Sequence, residues 1–361
     1  MKVLITVPRL NLPGGVASYF NSLRRELGTD KNYFEVGRTD DEIGVLAVLK
    51  RVCLDSLNFW KELNREEYEL VHINPSLLIG SFFRDGVLLL LARLHRKPVL
   101  VMFHGWDKAF ERTIERFLFW WFRLAYKRAT VFVVLADEFR DTLKRWSCAQ
   151  RIIVETTVID DAAVHCDLRI LQENRRAALV FNVLFLARLE KEKGIYETLD
   201  AFQLLKKAVP HARLIVAGDG PDKVLAEEYA MAHGIGGIDF VGFVTGKQKV
   251  DIFARAHVYV FPTFYGEGMP TSVLEAMAVG LPVITRPVGG LRDFFEDGRM
   301  GHLTESLNPA VFAELAGKLA IDIQRREAIG EYNQLYAGQR FAASKVAARV
   351  ENVYASIVAG G

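Results

Sequence analysis

The chain has 361 residues, half of them apolar and a quarter charged, the balance of a globular protein with a large core. That length favours two domains over one. Lys and Arg exceed Asp and Glu by only 46 − 44 = 2, which leaves no basic footprint for nucleic acid.

No apolar run approaches the roughly 18–20 residues of a membrane-spanning helix. Cys53, Cys148 and Cys166 are odd in number, lack metal or redox spacing, and fit free thiols in a reducing compartment. The opening MKVLITVPRL has a strand-like run too short for a signal-peptide core and no small-residue cleavage site, so the expected location is cytoplasmic.

Lys2 to Val7 reads as a first strand, followed by a loop ending in Pro13-Gly14-Gly15 and a helix from Val16 to Leu27. Two glycines at a helix N-terminus suit either an ordinary tight turn or close backbone approach to an anionic or hydroxylated ligand. No G-x-G-x-x-G is present, which argues against a dinucleotide dehydrogenase. Strands follow near 33–37, 70–74, 99–103, 130–135 and 152–155, with helices near 42–63, 85–96, 111–127 and 137–146 between them. This alternation predicts a parallel sheet covered on both faces.

His104 directly follows a strand, where open α/β sheets bind ligands, although a lone histidine is as often a structural hydrogen-bonder. In the next helix Phe110, Ile114, Phe117, Leu118 and Trp121 fit a buried face. Phe119, Trp120 and Arg123 are left over, as core-packing excess or as a basic-aromatic surface for peripheral membrane contact through this domain. From 156 to 178 the pattern weakens into a polar stretch suited to an interdomain linker.

Alternation restarts at 183–186. Arg188 and Lys193 lie in the Lys/Glu-rich loop that follows, and such charges are commonly just solvated. Strands at 213–217 and 238–241 precede Gly218-Asp219-Gly220-Pro221 and Gly242-Phe243-Val244. The apolar run 258–261 opens FPTFYGEGMPTSVLEAMAVGLPVITRPVGGLRD, which ends at Asp293. Here a loop carries Glu267, Gly268, Met269 and Pro270. A helix whose apolar arc is Val273, Leu274, Met277 and Ala278 then carries Glu275 outside that arc. Gly280 suits the helix stop and 281–285 a buried strand. Helices at 309–322, 325–336 and 342–358 complete the chain.

The two glutamates separated by seven residues, with Gly-x-Pro, a strand and Gly289-Gly290 behind them, closely resemble the signature of the retaining glycosyltransferases of group 1. The resemblance implies the GT-B fold: two Rossmann-like, doubly wound parallel-sheet α/β domains facing a cleft, with the last helix crossing back to the first domain. The corresponding boundaries are 1–170 for an acceptor-binding domain, 171–338 for a nucleotide-sugar donor domain and 339–361 for the returning helix.

By the same resemblance, Glu267 contacts donor sugar hydroxyls, Glu275 the ribose hydroxyls, and Arg188 and Lys193 the diphosphate. His104 lies beside the sugar, Gly15 where phosphate and acceptor meet, and Gly218 beside the cleft. The backbone at Val244 reads the base. Gly268, Met269 and Pro270 join the donor site by position. Asp293 stands where the family has Glu, and the family's Pro-Asn-Gly turn is replaced by Val158-Ile159-Asp160-Asp161, so neither carries a role.

The reaction expected is sugar transfer from a nucleotide-sugar donor to an acceptor hydroxyl with retention of configuration. The acceptor would be a saccharide or lipid-linked saccharide in bacterial surface polysaccharide or glycolipid synthesis. No cofactor or metal is expected, since Asp-x-Asp is absent and the histidines and cysteines have no metal spacing. The alternatives are a sugar-nucleotide epimerase, a sugar phosphorylase, and a non-catalytic sugar-nucleotide-binding protein of the same fold.

Overall fold

The computed structural model describes residues 1–11, 14–37, 45–266 and 268–360, and only the backbone of Val45 and Leu46. The chain divides into two compact units. The first is Met1–Val158 with Gly266–Met269 and Ala343–Gly361; the second is Ile159–Tyr265 with Pro270–Ala342.

The first unit contains β1 (Lys2–Val7), β2 (Asp30–Glu35), β3 (Leu70–Ile73), β4 (Ser76–Leu77), β5 (Val99–Met102), β6 (Gly105–Trp106), β7 (Val131–Val134) and β8 (Arg151–Val154). Six of them form a parallel sheet in the order β2-β1-β3-β5-β7-β8, and β4 pairs with β6 apart from it. The inner strands β3, β5 and β7 read LVHI, VLVM and VFVV and are buried throughout. Near-continuous apolar runs are what a sheet covered on both faces requires. Edge strand β2 is polar, DKNYFE, and partly exposed, which blunts unwanted edge pairing.

One face is covered by Gly15–Glu26 and Ala343–Ala359, with Phe20, Leu23, Leu100, Val346 and Val350 in one core. The other is covered by Val45–Arg65, Ile79–Leu94 and the helical run 108–124, around Phe59, Phe82, Leu88, Phe122 and Tyr126. Polar contacts tie the last helix to the sheet across long stretches of chain. Arg349 reaches Glu155 at 2.7 Å, Glu351 accepts from Thr29 at 2.7 Å, and the Tyr354 hydroxyl lies 2.6 Å from His72 Nδ1.

The run 108–124 departs from a straight helix. Lys108–Thr113 and Phe119–Leu124 are α-helical, but Ile114–Leu118 between them is a π-turn. The extra residue rotates the C-terminal helical segment by about 100° relative to an unbroken helix. Phe117, expected in the buried face, is therefore 63% exposed. Phe119, expected outside, is partly buried, with its ring 6.0 Å from that of Phe122 and 6.2 Å from that of Trp146.

The second unit contains β9 (Phe181–Leu186), β10 (Ala212–Ala217), β11 (Ile238–Gly242), β12 (Val258–Phe261), β13 (Val283–Thr285) and β14 (Gly301–Leu303). They form a parallel sheet in the order β11-β10-β9-β12-β13-β14. The stretch read as a linker folds with this unit instead, as helices Asp161–Val164 and Leu168–Ala177, capped by Asp160 and Asp167. Their anchor is polar. Buried Arg175 donates to the carbonyl oxygens of Phe253, Ala254, Val279 and Gly280, a tether that leaves no apolar period in the sequence. Among the described residues no helix is long and apolar enough to cross a membrane.

Candidate functional site

In the second sheet the strand order reverses between β9 and β12, and ligands of open α/β sheets bind outside the carboxyl ends of strands at such a point. The loops leaving these two strands are bound to each other. The Glu192 carbonyl accepts from the backbone N–H of Phe264 at 2.9 Å and of Tyr265 at 3.1 Å, and from the Thr263 hydroxyl at 3.1 Å. Gly194 sits at φ 85°, and a Cβ there would lie 2.7 Å from the Pro262 carbonyl oxygen, so glycine is required.

Arg188 follows β9 directly. It is 67% exposed, with Nη1 3.0 Å from Glu190 Oε1. Lys193 holds its ammonium 4.0 Å from the centre of the Tyr265 ring. The two bound loops thus carry two cations at the carboxyl ends of adjacent strands. Glu267 lies outside the described residues.

Gly218 and Gly220 after β10 have a structural reason to be glycine. Gly218 has φ 145° and would place a Cβ 1.9 Å from Ala187 O, while a Cβ on Gly220 would lie 2.4 Å from Leu189 O. This turn therefore braces the Arg188 loop from below. Val244, after β11, is buried. Pro270 caps the helix Thr271–Ala278 without a side-chain hydrogen bond of its own. Glu275 on this helix is 17% exposed, and its carboxylate holds Lys249 Nζ at 2.6 Å.

In the first sheet the order reverses between β1 and β3. Gly14 and Gly15 open the helix after β1, and among the described residues a Cβ on either would meet no atom within 4 Å. Gly14 is in extended backbone and Gly15 has no positive φ, so the fold does not demand glycine at either position. Next to the reversal, His104 follows β5 with Nε2 2.8 Å from Asn74 Oδ1, its ring edge-on to Tyr19 and Phe20. Burial pushes the His104 pKa down to about 3, so the ring is neutral near pH 7. Gly268 and Met269 belong to this unit. A Cβ on Gly268 would lie 2.8 Å from the His104 carbonyl oxygen, and Met269 packs on the Phe20 core.

Four partners escaped the sequence reading: Asn74 on His104, Glu190 on Arg188, Tyr265 on Lys193 and Lys249 on Glu275. Asn74 had a signal, since it directly follows β3 at the reversal. Lys249 had none, because its partner lies 26 residues away on another helix.

Two parallel, doubly wound units, each with polar residues at its strand-order reversal, define a Rossmann-like α/β protein of ligand-binding type. The chain belongs to the group 1 glycosyltransferases: residues 171–336 match the family described as Glycosyl transferases group 1, and residues 13–162 match Glycosyltransferase Family 4. Alpha-D-kanosaminyltransferase of Streptomyces kanamyceticus is 24% identical over 82% of this chain and 80% of its own. Phosphatidyl-myo-inositol mannosyltransferase of Mycobacterium leprae is 30% identical over 50% of this chain and 47% of its own, so the chain spans about half the length of that relative. The fold is that of the Anabaena Alr3699/HepE protein solved with UDP-glucose. The TM-score is 0.73 at 18% identity, covering 99% of this chain and 100% of the other.

Proposed function

We propose that the protein transfers a sugar from a nucleotide-sugar donor to an acceptor hydroxyl with retention of anomeric configuration, in bacterial surface polysaccharide or glycolipid synthesis. The observation that carries this reading is the loop pair at the second unit's strand-order reversal. Its two cations, Arg188 and Lys193, support the reading as a diphosphate site, and the helix Thr271–Ala278 follows the other strand of the reversal. Arg offers a planar fork to two oxygens, Lys a compact charge, and the helix end a positive dipole.

In this reading Glu267 orients the sugar hydroxyls and Glu275 the ribose hydroxyls, since a carboxylate accepts but does not donate. The acceptor oxygen attacks the anomeric carbon on the face from which the diphosphate leaves. The C1–O bond breaks, and the acceptor's proton passes to the departing phosphate oxygen. No protein nucleophile takes part. Arg188 and Lys193 neutralise the developing charge in place of a divalent metal; one lost donor of this kind typically costs about 2.7–4 kcal/mol.

The test is thermal shift with a panel of nucleotide sugars, UDP-glucose first, followed by transfer assays and NMR of the early product. A donor at 100 times its Kd raises stability by about 2.7 kcal/mol. Arg188→Ala or Lys193→Ala should slow transfer by roughly a hundred- to a thousandfold without unfolding the protein. Glu267→Gln should also impair turnover, and activity should survive excess EDTA. An inverted product would overturn retention. Loss of activity on chelation, restored by magnesium or manganese, would overturn the charge assignment.

A further inference from the structure

We infer that the outer face of the first unit's helical layer docks on an anionic lipid bilayer, through Ile79, Phe117, Trp120 and Leu124 with Arg112, Arg116 and Arg123. This inference does not depend on the reaction proposed above. The π-turn at Ile114–Leu118 creates the surface by turning Phe117 outward next to Trp120, which is 61% exposed; Leu124 is exposed one turn on.

The strip is continuous with the neighbouring helix. The Trp120 ring lies 5.8 Å from that of Trp121, which lies 5.6 Å from that of Phe83, and Ile79 is exposed one turn before Phe83 on Ile79–Leu94. Gly86 makes this junction possible, because a Cβ there would lie 2.8 Å from the Trp121 indole nitrogen. Contiguous exposed aromatic and aliphatic groups on this scale call for an occupant.

Charge identifies that occupant. Arg112, Arg116 and Arg123 are exposed on the same helical run, and among the described residues none has an acidic partner. The nearby acids face elsewhere. Glu111 is buried beneath the Trp106 indole at 2.6 Å, and Glu115 accepts from Trp146 Nε1 at 2.9 Å. Arg116 instead lies 5.1 Å over the Phe117 ring. Exposed apolar side chains interleaved with arginines on one helical run suit a bilayer boundary, where indole rings sit among headgroups and guanidinium groups meet lipid phosphate. Ile79 opens the helix that follows β3 and β4, on the carboxyl edge of the sheet that also carries His104, so a lipid-anchored ligand could reach that edge without leaving the membrane.

Co-sedimentation of the full chain with phosphatidylcholine vesicles, with and without phosphatidylglycerol, tests the inference. Binding is expected only with phosphatidylglycerol, weakening as salt rises. Phe117→Ser with Trp120→Ser should reduce it by at least about tenfold. Arg112→Gln, Arg116→Gln and Arg123→Gln should each cost about fivefold at low salt. Unchanged thermal unfolding of these variants would establish that folding is intact, and Arg112→Gln and Arg123→Gln test charge apart from the Arg116–Phe117 contact. The inference is overturned if the wild-type chain ignores anionic vesicles, if folded variants bind like wild type, or if the same substitutions instead abolish a concentration-dependent dimer in ultracentrifugation.

Discussion

His104 Nε2 lies 2.8 Å from Oδ1 of Asn74, and the Asn74 amide cannot turn over, because its Nδ2 donates to the Thr6 carbonyl at 2.9 Å. The Asn74 backbone N–H also reaches the Thr6 hydroxyl at 3.2 Å. With Oδ1 committed to face the ring, Nε2 must carry the proton and Nδ1 the lone pair. The imidazole is thus set as an acceptor at Nδ1, a role that suits contact with a sugar hydroxyl.

Asn74→Leu removes that constraint. Nitrogen NMR of the wild type should report a single Nε2–H tautomer for His104, and the variant a mixture. If His104 contacts the donor sugar as proposed, losing one hydrogen bond of about 1.4 kcal/mol there should slow turnover about tenfold. Identical tautomers in both proteins would remove the positioning role from Asn74, whatever happened to activity.

The glycines separate into two kinds. Gly218→Ala should lose roughly 1–3 kcal/mol from its backbone angle alone, and more from the clash with Ala187. Gly15→Ala meets no atom of the described residues, so its stability should stay within about 0.5 kcal/mol of wild type while donor kinetics suffer. Urea denaturation paired with steady-state kinetics checks both. A stable Gly15→Ala enzyme with normal kinetics would return that glycine to an ordinary turn.

The Glu275 carboxylate is paired with Lys249 Nζ at 2.6 Å. If ribose hydroxyls compete for the same carboxylate, Glu275→Ala should weaken nucleotide binding by about 1.5–3 kcal/mol. Lys249→Met should leave that affinity unchanged or improve it. Calorimetric titration distinguishes the cases, and equal weakening in both variants would make the pair purely structural.

Stability should fall on the acid side. Burial lowers the His72 pKa to about 3 and the His257 pKa to about 4, from 6.5 in the unfolded chain. Between those values the unfolded state binds more protons than the folded one, so stability is full above about pH 6.5 and declines as pH drops toward 4. Each histidine contributes a slope of about 1.4 kcal/mol per pH unit across its own window. His104 retains some exposure and should contribute less. His72→Gln should flatten the pH dependence of thermal unfolding; an unchanged profile would mean His72 is already protonated in the fold.

The alternation of apolar runs and amphipathic segments was enough to read two parallel α/β units, because strands buried on both faces have no polar positions to spare. The position of Arg188 directly after β9 was legible too, since the apolar run of the strand ends where the Lys/Glu-rich loop begins. Local pattern could not reveal which strands adjoin. The orders β2-β1-β3-β5-β7-β8 and β11-β10-β9-β12-β13-β14, and therefore the two reversals, arise from long crossovers. Nor could it reveal Asn74 on His104 or Lys249 on Glu275, which meet across 30 and 26 residues. The exchange of Phe117 for Phe119 turned on a single residue of helical register. A periodic pattern is blind to one inserted residue, and only the packing of Phe119 against Phe122 and Trp146 selects the π-turn that shifts it.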